Sequence, residues 1–263
     1  LPDVRFFDAF KRCFPALNYH LTIRSGLFTG IQPKIYPNSS YPIQEYDRII
    51  KFFQNEEISV RAAGASSGTV SLPYVKEIFM CYGKYDKIDA PDAKTITIES
   101  GDSLIEIEAP SAEEVILQGA FSNLEKINTP NAISFQAYRV GRCSFLNLPK
   151  AKTIDLEECK QLVKIFVPSA ESLSLKECPL LTGISALDVK TLSLINCPQI
   201  GIILGMSEIK NLTIEQNDVI TELEYRFAKN IKISNCSKLR SVDFPAAEDI
   251  TLEECPSLEQ LSE

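Results

Sequence analysis

The sequence predicts a repeat solenoid in which short strands of successive coils stack into one parallel β-sheet. Three observations support this fold class. The chain repeats itself with a period of 19 to 20 residues, apolar and polar residues alternate over a short stretch of each repeat, and a cysteine recurs at one fixed place. Periods of this length are typical of repeat architectures, in which each unit contacts only its neighbours.

The composition is that of an ordinary globular protein, because 44% of the 263 residues are hydrophobic and 24% are charged. The chain has no run of about 18 apolar residues, so we expect no membrane span. Its formal charge of −8 argues against nucleic acid as a partner. Phosphate binding needs clustered lysine and arginine, which are scattered here.

The repeat is clearest from residue 149 onward, where six copies of one unit follow each other. These copies are PKAKTIDLEECKQLVKIFV, PSAESLSLKECPLLTGISA, LDVKTLSLINCPQIGIILGM, SEIKNLTIEQNDVITELEY, RFAKNIKISNCSKLRSVDF and PAAEDITLEECPSLEQLSE. Three further copies span 91–109, 110–129 and 130–148, and residues 53–90 fit more loosely. The consensus is P-x-A-x-x-L-x-L-x-x-C-x-x-L-x-x-I-x-x, and unit positions are numbered from its proline. Residues 53–263 are therefore predicted to form about eleven coils.

Each unit contains one short strand, since positions 6 and 8 are apolar and their neighbours are mostly polar. Leu173 and Leu175 show this alternation, which places both on one face of a strand. Parallel stacking about 4.8 Å apart joins positions 3, 6, 8, 14 and 17 into one apolar core. The remaining residues are too few for a helix, so we expect extended, 3₁₀ or short second-strand segments on the return.

The unit resembles the leucine-rich repeat, whose shared core is LxxLxLxxN/CxL. The match covers residues 73–263 well and 53–72 weakly. It is closest to short, cysteine-containing or bacterial-type repeats. Two features depart from the family: position 3 is usually alanine, and the next apolar residue follows the cysteine by three positions. The resemblance implies a horseshoe or arc with the parallel sheet on its concave face.

Unit position 11, where the strand ends, holds a small side chain that we interpret as a structural ladder. Its members are Cys159, Cys178, Cys197, Asn217, Cys236 and Cys255. Because asparagine replaces cysteine in one coil, the slot requires a small group that bonds to the turn backbone. Adjacent slots are close enough for a disulfide, but the inward direction of the side chains does not favour one. A straight ladder also does not converge on a tetrahedral zinc ion.

Residues 1–52 differ in kind and are predicted to form a helical N-terminal cap. Apolar residues recur at helical spacings in 3–14 and in 43–54, with a loop between them. Such a cap would cover the apolar column at the first coil. The last unit ends at Glu263 without a polar closing segment. Either the native protein continues, or the last coil docks on something, such as a second copy of the chain.

The sequence indicates no catalytic, cofactor or metal site. His20 is the only histidine, and no nucleophile motif surrounds it. Paired glutamates fall at strand edges, where a solvated rim is expected rather than a calcium site. Glycosylation sequons begin at Asn38, Asn211 and Asn235, and glycans on the last two would crowd the strand face.

We expect a partner protein to bind the N-terminal half of the strand face. Several aromatic side chains and an arginine are concentrated there, and such residues dominate interface energetics. The predicted contact residues are Phe79, Tyr82, Ile116, Gln136, Tyr138 and Arg139. The alternative is that the N-terminal helices fold over these residues and bury them.

These observations favour a protein-interaction scaffold, without enzymatic activity or cofactor. Unpaired thiols favour a reducing compartment, and therefore an intracellular adaptor or a secreted effector that acts inside a host cell. One alternative is an extracellular or surface recognition protein, such as an adhesin or receptor ectodomain. Another is the targeting part of an enzyme whose catalytic domain is absent from this chain.

Overall fold

The computed structural model describes residues 23–24, 57–64, 68–72, 75–201, 206 and 208–262. Within these ranges the chain is a parallel β-solenoid without helices. This architecture confirms the predicted repeat solenoid. In the same ranges no helix has the length and apolar composition needed to cross a lipid bilayer.

The longer strand of each coil lies in one sheet, the front sheet, which has twelve strands among the described residues. In spatial order these strands are β1 (Ile23–Arg24), β2 (Glu57–Gly64), β4 (Glu77–Gly83), β6 (Thr95–Ile98), β8 (Glu114–Leu117), β10 (Ser134–Tyr138), β12 (Thr153–Glu157), β14 (Ser172–Lys176), β16 (Thr191–Ile195), β17 (Asn211–Glu215), β19 (Asn230–Ser234) and β21 (Asp249–Glu253). Strand β1 is antiparallel to β2, and the other pairs are parallel.

In the described ranges, the return segments form three shorter sheets of three-residue strands. The N-terminal return sheet contains β3 (Thr69–Ser71), β5 (Lys87–Asp89), β7 (Glu106–Glu108) and β9 (Lys126–Asn128). The central return sheet contains β11 (Phe145–Asn147), β13 (Lys164–Phe166) and β15 (Gly183–Ser185). The C-terminal return sheet contains β18 (Glu222–Glu224), β20 (Ser241–Asp243) and β22 (Gln260–Ser262). A short second strand is thus the return that this sequence adopts.

The register between coils keeps equal unit positions opposite each other. Leu173 of β14 lies opposite Ile154 of β12 and Leu192 of β16. The rows at positions 6 and 8 are buried between the front sheet and the returns, together with positions 3, 14 and 17. A slip by one residue would turn every one of these side chains outward, so the alternation fixes the register.

Two turns connect the strands of each coil. The first contains position 1, which is proline in most coils, and is closed by a hydrogen bond such as that from Ala151 N to Leu148 O, at 3.2 Å. The second follows the front strand, where position 10 adopts the left-handed conformation with φ between 51° and 55°. The residues that do so are Arg139, Glu158, Glu177, Asn196, Gln216, Asn235 and Glu254. Gly119 takes the same position upstream, with φ of 104°.

The position-11 thiols are bonded to the backbone of this second turn. Cys178 Sγ lies 3.5 Å from the carbonyl oxygen of Lys176, two residues earlier. Cys236 Sγ makes the same contact with Ser234, also at 3.5 Å. Each thiol therefore donates across the left-handed residue at position 10. The thiols of Cys159, Cys178, Cys197 and Cys236 are free and buried, and that of Cys255 is free and half-buried.

Asn217 fills the same slot with four hydrogen bonds. Its amide donates to the carbonyls of Cys197 and Ile200 in the preceding coil, at 3.1 and 3.0 Å. Its oxygen accepts from the N–H groups of Val219 and Ile220, at 2.9 and 2.8 Å. A buried amide is stable only with its partners satisfied, and here both ends of the side chain are.

Burial and the neighbouring thiols raise the pKa of Cys178, Cys197 and Cys236 and keep these three thiols protonated. The pKa of Cys178 is raised to about 12, with hydrogen bonding to Cys159 as the largest cause. Removal from water raises the pKa of Cys236 to about 11. Because the thiolate is the reactive form of cysteine, these side chains have a structural role rather than a nucleophilic one.

The predicted helices at 3–14 and 43–54 lie outside the described residues. Of residues 1–52, the structure describes β1, in the segment where a loop was predicted. Ile23 pairs with Ile58 and Arg24 with Glu57, so β1 extends the front sheet beyond β2. By pairing with β2, strand β1 directly satisfies backbone hydrogen-bond donors and acceptors at the edge of that strand. The leucine-rich-repeat horseshoe stays a prediction.

The ladder geometry predicts how position 11 tolerates substitution. Cys178→Asn should keep the free energy of unfolding within about 1 kcal/mol of the wild type, because the slot accepts an amide at Asn217. Cys178→Leu should overfill the turn and cost roughly 1–3 kcal/mol. Denaturant unfolding measures both values. Equal destabilisation by the two substitutions would contradict the ladder.

The raised pKa values predict a loss of stability at alkaline pH. In the unfolded chain the thiol of Cys178 ionises near its ordinary pKa of roughly 8.5, whereas in the folded chain it stays protonated until about pH 12. Between these values the unfolded state binds fewer protons, so the free energy of unfolding falls as pH rises. Between about pH 8 and pH 10 this fall should be smaller in Cys178→Asn than in the wild type. The same fall in both proteins would refute the assignment.

Candidate functional site

The outward face of the front sheet places three of the predicted contact residues in one row. Position 7 of β4, β6, β8 and β10 is Phe79, Thr97, Ile116 and Gln136, each opposite the next. Phe79 and Ile116 are half-buried, and Gln136 is exposed. Adjacent strands lie about 4.8 Å apart. The two apolar side chains are thus separated by a single threonine.

Tyr138 and Arg139 form a compact cluster with Glu158 of the next coil. The Tyr138 hydroxyl donates to Glu158 Oε1 at 2.7 Å, while Arg139 Nε and Nη2 donate to Oε2 and Oε1 at 2.9 and 3.1 Å. The guanidinium carbon lies 4.6 Å from the centroid of the Tyr138 ring. Arg139 and Glu158 both occupy position 10, so the same left-handed turn brings the two side chains to one edge of the sheet.

The cluster is electrostatically balanced. Arg139, and then Tyr138, lower the pKa of Glu158 to about 2, because both donate hydrogen bonds to its carboxylate. The pKa of Tyr138 is raised, chiefly by its hydrogen bond to Glu158. Glu158 therefore stays ionised at ordinary pH and neutralises Arg139. What the surface presents is a planar guanidinium stacked on an aromatic ring, without excess charge.

The structure brings the row and the cluster together on β10. Gln136 and Tyr138 lie two residues apart on the outward face of this strand, and Arg139 follows its end. The side chain of Tyr82 lies outside the described part of the structure. The alternative that N-terminal helices cover this face also concerns residues outside the described ranges.

Sequence reasoning missed Glu158 as the partner of Arg139. The signal was present, since both residues occupy position 10 and equal positions of successive coils are adjacent. It also missed a second feature. Among the described residues, the exposed large hydrophobic side chains lie outside the front-sheet strands: Ile105, Ile133, Phe145, Phe166, Leu180, Leu187, Val219 and Phe227.

Two of the acidic pairs contain glutamates that form ion pairs with a lysine of a neighbouring coil. Glu157 bonds Lys176 at 2.6 Å, and Glu113 bonds Lys94 at 2.6 Å. In the described ranges no group of three or more His, Cys, Asp or Glu side chains could hold a metal ion. His20 lies outside these ranges.

The two described sequons differ in how their asparagines are bonded. The Asn211 amide donates to Thr191 Oγ1 at 3.3 Å, and its oxygen accepts from Asn230 at 2.7 Å. Asn235 is exposed on the left-handed turn. Asn38 lies outside the described residues.

Comparison with known proteins finds no match for this chain. No family model matches the chain, and neither a curated protein nor a solved structure does. The row and the cluster have to be interpreted from their own contacts.

Proposed function

We propose that this chain is a protein-interaction scaffold of the leucine-rich-repeat kind, without enzymatic activity. Its partner binds the N-terminal half of the front sheet. The observation that carries the proposal is the row of Phe79, Ile116 and Gln136 next to the stacked pair Tyr138 and Arg139, both of which donate to Glu158. Aromatic residues and arginine dominate binding energy at protein interfaces.

The rigidity of the surface supports this role. The row is held by parallel pairing of adjacent strands, and Arg139 is held by a bidentate contact with Glu158. Side chains that are fixed before binding lose little conformational entropy when a partner arrives. A preorganised face of this kind suits recognition of a folded protein.

The C-terminal half of the front sheet offers a partner protein fewer apolar contacts. Its position-7 residues include Ser174, Ser193 and Thr213, which are small and polar. Such side chains are well hydrated and provide no apolar anchor. The free, buried thiols support a reducing setting, and hence an intracellular adaptor or an effector acting inside a cell.

Two matched substitutions test the proposal. Ile116→Asp and Ser193→Asp each place a carboxylate at position 7 of a front strand, and both native residues are half-buried. A charge in the centre of a contact should weaken partner binding roughly tenfold or more, whereas a charge outside it should change binding by less than about twofold.

The measurement is quantitative affinity capture from cells of the organism that makes the chain, with wild type and both variants as bait. The proposal expects proteins that are captured by the wild type and by Ser193→Asp but lost with Ile116→Asp. Unfolding curves verify that both variants fold. If every captured protein is retained by Ile116→Asp, the N-terminal front sheet is not the binding surface.

A further inference from the structure

The central return sheet exposes two phenylalanines that packing does not explain. Phe145 of β11 is 54% exposed and Phe166 of β13 is 39% exposed. The register places Phe145 opposite Lys164, and Phe166 opposite Asn147 and Ser185. The two rings are therefore diagonal neighbours on adjacent strands, within reach of one another. Exposed aromatic side chains grouped on one face indicate a binding surface.

The N-terminal return sheet differs from the central return sheet because its charged side chains pair with each other. Its outward residues are mainly charged and bonded to each other, with Lys87 2.5 Å from Glu106 and Lys126 3.9 Å from the same carboxylate. The C-terminal return sheet also differs, because Glu222, Glu224 and Asp243 make its outward face acidic. No strand of either sheet carries an exposed large hydrophobic residue among those that the structure describes.

The surroundings of the two phenylalanines are basic in an otherwise acidic chain. The return segments 140–152, 159–171 and 178–190 contain six basic residues and two acidic ones, Glu171 and Asp188. The basic residues are Arg142, Lys150, Lys152, Lys160, Lys164 and Lys190. The whole chain, in contrast, has 35 acidic and 27 basic residues.

Three of these cations lack an ion-pair partner. Arg142 is paired with Glu125 at 3.4 Å, and Lys152 and Lys190 are paired with Glu171 at 3.0 and 2.9 Å. Lys150, Lys160 and Lys164 are exposed and, within the described part of the chain, have no carboxylate at ion-pair distance. The carbon stem of Lys164 lies across Gly183, since its Cγ is 3.4 Å from where a Cβ on that glycine would be. In the register, Lys164 lies opposite Phe145 and two residues before Phe166 on the same face of β13.

We propose that the central return sheet binds a short acidic peptide segment that carries apolar side chains. The apolar side chains would pack on Phe145 and Phe166, and the carboxylates would pair with Lys164 and Lys150. Both parts of the surface are needed, because exposed charge pairs alone contribute little affinity while buried aromatic anchors contribute most of it. The surface is on the opposite side of the core from the front sheet, so it is independent of the function proposed above.

The charge distribution favours a short peptide over larger anionic partners. A long nucleic acid would also meet the acidic face of Glu222, Glu224 and Asp243 along the same side of the solenoid. An anionic bilayer would meet the same repulsion. A segment that spans only β11, β13 and β15 avoids these carboxylates and remains over the basic residues.

Selection from a displayed library of random peptides tests the proposal. Peptides are selected on the wild-type chain, with counter-selection on the double variant Phe145→Gln, Phe166→Gln. The proposal expects enriched peptides that combine aspartate or glutamate with leucine or phenylalanine. Enrichment of basic peptides, or no enrichment, would overturn it.

The best selected peptide is then synthesised, and its affinity is measured by fluorescence anisotropy. The double variant should bind at least roughly tenfold more weakly. Phe227→Gln is the matched control, because Phe227 is 51% exposed but lies in a turn outside the central return sheet, and it should bind as the wild type does. Circular dichroism verifies folding. Equal loss in the control would show that the rings act through general hydrophobicity and would refute the site.

A charge reversal separates the two parts of the surface. Lys164→Glu should weaken the same peptide several-fold and reduce the dependence of its affinity on salt, because one ion pair is removed. Lys232→Glu, on the front strand β19, is the control and should leave the peptide affinity and its salt dependence unchanged.

Binding of single-stranded RNA and of anionic vesicles, and self-association by sedimentation, are measured alongside. Binding of any of these that is lost in the double variant and exceeds the peptide affinity would replace the proposed partner.

Discussion

Pairing between equal positions of successive coils is the interaction on which the rest of this structure depends. Each front strand uses its backbone groups to bond the next coil, as in the register of Leu173 with Ile154 and Leu192. A single coil has no core of its own, because its few apolar residues are buried only when neighbours stack on both sides. The register, the apolar rows and the surface rows are all consequences of this pairing.

The sequence was sufficient to predict the solenoid, the front strands and the inward leucines, since the 19-residue period and the alternation are local signals. Helices were predicted for 3–14 and 43–54, which the structure does not describe. The three-residue return strands were one of several expected conformations. Periodicity alone could not select among them, because residues such as Lys164–Phe166 are too few to show a pattern of their own.

The candidate site could be predicted by residue type but not by contact. Tyr138 and Arg139 were identified as exposed groups, yet their bonds to Glu158 depend on the left-handed φ of 54° at Arg139 and Glu158. Glycine and asparagine are the residues that usually signal this conformation. Arginine and glutamate do not, so the signal is absent at these two residues, although Gly119, Asn196 and Asn235 hold the same position in other coils.

Constant register has a consequence for how such a chain can change during evolution. Duplication or loss of a whole coil keeps the backbone pairing intact, because each coil contacts only its neighbours. The surfaces respond differently. The row from Phe79 to Gln136 spans four strands, and the pair Phe145 and Phe166 spans two. A coil inserted after residue 148 would separate the two phenylalanines by one more strand spacing while leaving the row whole. Changes in coil number can therefore alter one surface and preserve the other.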